Sequence, residues 1–357
     1  MHKKTLIASL AIGALFGASV QADEVKQGGT LTVPIINTGF VENFNPYTTK
    51  DLLHGVMFEP LVVFNNMTGD VDYRLAESVE FSEDLKTLTL KLRENLKWSD
   101  GTKLTAEDVV FSFMLTKDAP AFDQKGIWSA GNLQEVTASD ERTVVFSLAE
   151  ADSTFAWNLE RYHVVPKHIW SKVEELTTFT NLNPVGSGPM TTVKYIKPQQ
   201  MELCRNPNYY LENRPYLDCV NFRSYNDNSQ IQPALIKGEI DWGSNFVADI
   251  DKTYVDPSPE THGYWYPAND LWNMYLNTRI APFSDVEFRK AFSTAIDRDT
   301  IVDLATYGYA TAEDTVVGIG QYHGTHFNDK INKKYSDLAE YNPKESAKIL
   351  KKAGYKD

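Results

Sequence analysis

Beyond its first 22 residues the chain has no apolar run approaching the roughly 18 residues that a membrane-spanning helix needs, so a direct membrane anchor is not expected. Positive charge is scarce as well: 35 Lys and Arg stand against 48 Asp and Glu, a formal net charge of −13. A chain this acidic is repelled by phosphate backbones and anionic lipid surfaces, which argues against nucleic acid or a membrane surface as partner. Cysteine is nearly absent, and neither Cys204 nor Cys219 has the CxxC spacing or the neighbouring His that a metal site or catalytic thiol would need. No HExxH, GxSxG or phosphate-cradling glycine loop occurs, and Gly186-Ser187-Gly188 has the wrong spacing for a nucleophile elbow. The His residues give one near pair, His323 and His326, in a polar loop where imidazoles are solvated far more often than metal-bound. These absences point away from an enzyme and from any cofactor or metal. A secreted glycoside hydrolase stays open, because it needs only two carboxylates facing one sugar bond.

What is present begins with an export signal. Lys3 and Lys4 form a positive region, Leu6 to Phe16 an apolar core, and Val20-Gln21-Ala22 a small-residue cleavage site, so the mature chain is expected to start at Asp23. No Cys follows the cleavage site to carry a lipid, and a periplasmic location results. A composition of 42% hydrophobic, 12% aromatic and 23% charged residues fits a well-cored globular protein long enough for two or more domains. In an oxidising compartment the isolated pair Cys204 and Cys219 reads most simply as a disulfide closing a polar, Tyr-rich loop.

Alternating apolar segments predict strands at 29–35, 87–92 and 143–148. Thr105 with Asp108 predicts a helix start, in an acidic version of the capping box, just after the turn Ser99-Asp100-Gly101. Ser229 is expected to begin a helix that Gly238 ends, and Ser284 with Glu287 another whose apolar face is Phe288, Ala291, Phe292, Ala295 and Ile296. Asn342, Pro343, Glu345 and Gly354 punctuate the last helix. Without a regular strand-helix alternation or a low-complexity linker, the pattern predicts mixed α/β lobes whose boundaries composition does not mark.

The run Lys97-Trp98-Ser99-Asp100-Gly101-Thr102 through Glu107-Asp108-Val109 resembles the hallmark segment of the family 5 extracellular solute-binding proteins, the oligopeptide, dipeptide, nickel and oligosaccharide receptors of ABC importers. Phe44-Asn45-Pro46-Tyr47, Phe58-Glu59-Pro60-Leu61, Asn183-Pro184-Val185-Gly186-Ser187-Gly188-Pro189, Arg205-Asn206-Pro207-Asn208-Tyr209-Tyr210, Ala234 to Asp241, Phe288 to Arg298 and Tyr341-Asn342-Pro343 follow the family order. Several segments look most like chitooligosaccharide- or cellobiose-binding members: Val164 to Val173, Asp241 to Phe246, the Cys204 and Cys219 pair, and Tyr264-Trp265-Tyr266-Pro267.

The resemblance implies an α/β, bilobal periplasmic binding protein-like fold (type II, cluster C) with an extra small domain. Residues 1–22 would be the signal peptide, 23–60 and 176–266 lobe I, 61–175 an accessory domain inserted in it, and 267–357 the first part of lobe II. Relatives continue past the segment matching Ala353-Gly354-Tyr355, so the second lobe is expected to be incomplete, with weak ligand retention and exposed apolar surface. The implied ligand is an oligosaccharide, with oligopeptide as the alternative, and the implied partners are an ABC permease and its ATPases, with the receptor itself a monomer. An oligosaccharide site needs aromatic rings and short polar groups. Asn226, Asn228, Trp242, Ser244, Asn245, Phe246, Trp272 and Asn273 are the candidates. For each a plainer reading stands beside the binding one: Trp242 as core filling after a buried strand, the Asn and Ser residues as ordinary turns, Trp272 and Asn273 as hinge or core packing.

Overall fold

A computed structural model describes residues 25–49, 53–65, 68–123, 126–265, 272–313 and 328–355. In chain order these form β1 (Thr30–Ile36), β2 (Val62–Phe64), β3 (Val71–Tyr73), β4 (Ala76–Phe81), β5 (Thr87–Leu92), α1 (Ala106–Asp118), β6 (Leu133–Ala138) and β7 (Thr143–Leu148). Short helices α2 (Trp157–Glu160) and α3 (Lys167–Trp170) lead to β8 (Met190–Lys197), β9 (Gln200–Arg205), β10 (Cys219–Tyr225) and α4 (Asn228–Ile236). The remaining described elements are largely helical: α5 (Val286–Thr294), α6 (Arg298–Thr306), α7 (Asp329–Tyr335) and α8 (Pro343–Lys352).

Two four-stranded sheets organise the first part of the chain. One has the order β1-β10-β9-β8, with β1 and β10 parallel and the remaining pairs antiparallel. The other is wholly antiparallel, in the order β4-β5-β7-β6. Alternation explains the second sheet. In β5 and β7 every second side chain is buried, so Leu88, Leu90, Leu92, Val144, Phe146 and Leu148 share one face. Against that face α1 lays Val109 and Phe113, and Trp98 is fully buried in the same core. A second core, holding Val33, Met57, Phe58, Met201, Leu203 and Phe222, belongs to the first sheet, and Leu115 at the far end of α1 joins it.

The helix punctuation is partly as expected. At α1 the Asp108 carboxylate accepts from the Thr105 N–H (2.9 Å), and at α8 Asn342 accepts from the Glu345 N–H (3.0 Å), with Gly354 left-handed past the end. Two expectations are corrected. Asp227, not Ser229, caps α4, accepting from the Ser229 N–H (2.8 Å); Asp285, not Ser284, caps α5, accepting from the Glu287 N–H (2.9 Å). In both places cap-forming residues stand in tandem, and the one with extended backbone takes the role.

The disulfide is formed: Cys204 and Cys219 are cross-strand partners in β9 and β10, with an S–S distance of 2.06 Å.

The segments that carried the family resemblance converge where the two cores meet. The Ser99 N–H donates to the Gly186 carbonyl (2.9 Å), and the Asn208 side-chain amide donates to the Ser99 carbonyl (3.0 Å). Asn206 donates to the Gly188 carbonyl (2.9 Å), and the Gly188 N–H to the Met57 carbonyl (2.8 Å). Glycine is required here by approach: a Cβ on Gly188 would stand 2.4 Å from the Val56 carbonyl oxygen, and one on Gly186 would stand still closer to that of Met57.

Candidate functional site

The candidate site lies around the parallel pair. β1 and β10 end side by side at Ile36 and Tyr225, where the Asn37 N–H donates to the Tyr225 carbonyl (3.0 Å) and the Ser224 hydroxyl to the Asn37 carbonyl (2.9 Å). Ligands of open α/β sheets bind outside such carboxyl ends. Asn226, Asp227 and Asn228 follow, all exposed. The Asn226 N–H is satisfied by Gln230 (3.1 Å), and hydrogen bonds from the Ser229 hydroxyl and N–H hold the Asp227 carboxyl below its usual range. The amide side chains of Asn226 and Asn228 flank this cap.

After α4 the chain turns at Gly238 and returns beside β1. The Asp241 N–H donates to the Thr32 carbonyl (2.9 Å), and the Asp241 carboxylate accepts from the Thr32 N–H (2.7 Å). Two residues on, Gly243 faces Pro34. The segment therefore runs parallel to β1, toward the carboxyl edge that Asn226 and Asn228 occupy. The buried strand expected before Trp242 is not formed. Thr32 offers both its N–H and its C=O outward, and Pro34, two residues along and facing the same way, has no N–H to continue the ladder. Ile240 is buried without strand pairing, and Trp242 emerges 61% exposed, which removes the core-filling reading. Ser244 is exposed, Asn245 half-buried, and Phe246 43% exposed, with buried Val247 and Ile250 anchoring the segment from behind.

Aromatic rings gather near this segment. The Phe246 ring lies 6.2 Å from Tyr307, and Tyr264 lies 6.0 Å from Tyr309. Tyr307 and Tyr309 come from the turn ending α6, where Tyr307 adopts a left-handed backbone (φ 53°) that a bulky side chain rarely takes. Neither tyrosine was singled out in the sequence. The signal available was the aromatic pair itself, Tyr307-Gly308-Tyr309, at the end of the α6 pattern. Trp272, 86% exposed, and Asn273 lie on the surface, so neither packs a core. His323 and His326 lie outside the described residues, as do Tyr266 and Pro267.

Of the two carboxylates framing the segment, Asp227 caps a helix and Asp241 accepts from the Thr32 N–H, so both serve the local backbone. Among the described residues the one cluster with metal-ligand chemistry is Glu202, Cys204 and Cys219. Its sulfurs are consumed by the disulfide, and Glu202 accepts from Lys194 and Tyr195, so it offers no thiolate to an ion. No helix among the described residues is long and apolar enough to cross a membrane.

Two four-stranded sheets, one of them mixed with a parallel strand pair, followed by a largely helical segment, fit the α/β fold of the bilobal periplasmic binding proteins. Residues 70–357 match the model described as bacterial extracellular solute-binding proteins, family 5 middle, and the chain belongs to that family. A Brucella ovis protein named as an ABC transporter peptide-binding protein is 28% identical over 98% of the chain and 64% of its own length. The oligopeptide-binding protein AppA of Bacillus subtilis is 29% identical over 95% of the chain and 62% of its own length. The crystal structure of a periplasmic oligopeptide-binding protein of Thermotoga maritima superposes with a TM-score of 0.79 at 29% identity, covering 92% of this chain and 63% of that one. The same Thermotoga protein has been solved with mannohexaose bound, with a TM-score of 0.74 at 28% identity, covering 92% of this chain and 62% of that one. These relatives are solute-binding proteins of ABC transporters, not enzymes. The chain spans somewhat less than two thirds of their length.

Proposed function

We propose that the chain serves as the substrate-binding component of an ABC importer, capturing an oligosaccharide of the chitobiose or cellobiose type and delivering it to a membrane permease driven by cytoplasmic ATPases. The observation that carries this reading is the exposed aromatic and polar set at the carboxyl edge of β1 and β10: Trp242 and Phe246 with Asn226, Asn228 and Ser244, beside the half-buried Asn245. Rings of this kind cover the apolar faces of sugars, and short amides and hydroxyls pair with sugar hydroxyls. Trp272 and Asn273 extend the same set from the segment that enters the second lobe. In this reading lobe I is residues 23–60 and 176–266, the accessory domain 61–175, and the start of lobe II 267–357. The protein works as a monomer in the periplasm, released from its signal peptide after Ala22.

Relatives named as peptide-binding proteins favour a second reading, an oligopeptide ligand. A peptide needs charge partners for its termini, whereas a sugar is held by aromatics and amides. Calorimetric titration with chitobiose, cellobiose and a tripeptide separates the two. Heat is expected with a disaccharide, and Trp242→Ala should weaken that binding about tenfold, equivalent to about 1.4 kcal/mol, while leaving the melting temperature unchanged because the ring is exposed. Heat with the tripeptide alone overturns the sugar reading.

A further inference from the structure

Glu59 sits at the joint between the two cores, where the chain passes from the first sheet toward the second. Its side chain is 3% exposed. From the β9–β10 connection the hydroxyls of Tyr209 (3.2 Å) and Tyr210 (3.4 Å) donate to Oε1. From the approach to β4 the Arg74 guanidinium stands 3.9 Å from the same oxygen and is itself paired with Asp72 (2.8 Å). Arg93, just past β5, lies over the Tyr210 ring at 5.7 Å. On the other side of the joint His168 of α3 pairs with Asp100 (2.8 Å), and the Glu59 N–H donates to the Ser187 hydroxyl (3.1 Å). Oε2 is buried and has no hydrogen-bond partner.

We propose that Glu59 is a proton-controlled bolt between the accessory sheet and the β1-β10-β9-β8 sheet: with its carboxyl neutral the joint stays shut, and loss of the proton loosens it. All the donors that reach Glu59 converge on one oxygen. An ionised carboxylate here is thus a buried charge with half its acceptor capacity unmet, whereas opening the joint would hydrate it. Burial, opposed by Arg74 and the two tyrosyl hydroxyls, raises the carboxyl to about 7. The sign follows from that direction. The shut joint holds a proton that the open one releases, so the stabilisation is fully present below the ordinary carboxylate value and is lost as pH rises toward 7. Between pH 6 and pH 8 the open fraction should rise about tenfold, and it should level off above pH 8.

Amide hydrogen exchange, corrected for the intrinsic effect of pH, reads this opening at peptides holding Ser99 and Gly186, whose N–H groups donate across the joint. The wild type should lose about tenfold in protection between pH 6 and pH 8, and Glu59→Gln should keep the same protection at both. Tyr209→Phe removes a donor to the ionised form and should move the midpoint to higher pH, which tests the same group without touching it. Unchanged protection in the wild type overturns the proposal, as does an undiminished loss in Glu59→Gln. A loss abolished by His168→Gln also overturns it, because the sensor would then be the His168 and Asp100 pair.

Discussion

Removal of the disulfide by the double substitution Cys204→Ala and Cys219→Ala should destabilise the first sheet by about 3 kcal/mol, the closure entropy of a 15-residue loop. That figure applies only if the folded loop keeps its shape without the bond, and its other ties are numerous. Arg205 donates through Nε and Nη2 to the carbonyls of Leu217 (2.8 Å) and Tyr216 (2.9 Å), and through its N–H to that of Asp218 (2.9 Å). Gly28 donates to the Tyr216 carbonyl (2.8 Å), and Tyr209 reaches Glu59 (3.2 Å). The native loop is therefore over-determined, and the bond acts mainly on the unfolded chain. Urea unfolding followed by circular dichroism, oxidised wild type against the double variant, should show a midpoint lower by about 1 M for a slope near 3 kcal/mol/M. The slope itself should rise slightly, because the unfolded state is freer to expand. Reduced wild type should match the variant. A loss below about 1 kcal/mol would refute the closure argument. So would a native spectrum altered by the substitution, since the folded loop would then depend on the bond.

Two further substitutions probe the joint and a helix end. Gly188→Ala forces a Cβ against the backbone of Val56 and Met57, which has no room to move because the Met190 N–H also donates to the Val56 carbonyl (3.0 Å); it should cost at least about 2 kcal/mol in thermal unfolding, and a neutral result would mean that Gly188 does not approach that backbone so closely. Asn342→Ala removes the acceptor for the Glu345 N–H and should cost about 1 kcal/mol, seen as faster amide exchange at the start of α8, whereas Asn342→Asp should restore most of it.

What the sequence made legible follows from how far each signal reaches. Alternation in β5 and β7, and the Asn342-Pro343 start of α8, are decided within a few residues, and there expectation and structure agree. Where cap-forming residues stand in tandem, as in Asn226-Asp227-Asn228-Ser229, each side chain is chemically able to cap. The choice fell to the residue held extended as the chain leaves β10 at Tyr225, a fact outside the local pattern. Trp242 is the longer-range case. Whether it fills a core or faces solvent turned on Pro34, which blocks the edge of β1, with the neighbouring Thr32–Asp241 pair 209 residues apart in sequence. The segments that carried the family resemblance show the same limit from the other side. Their order was readable, but not that Ser99 meets Gly186 across 87 residues, or that Tyr209 meets Glu59 across 150. Their prominence marks the joint on which the β4-β5-β7-β6 sheet rests, whereas the candidate ligand residues occupy a plain-looking segment. Trp98-Ser99-Asp100-Gly101 thus identifies the protein class through its chassis: Trp98 fills a core and Ser99 ties two cores together. In the proposed reading solute choice falls to Trp242, Phe246 and Tyr307, whose exposed rings a ligand would cover.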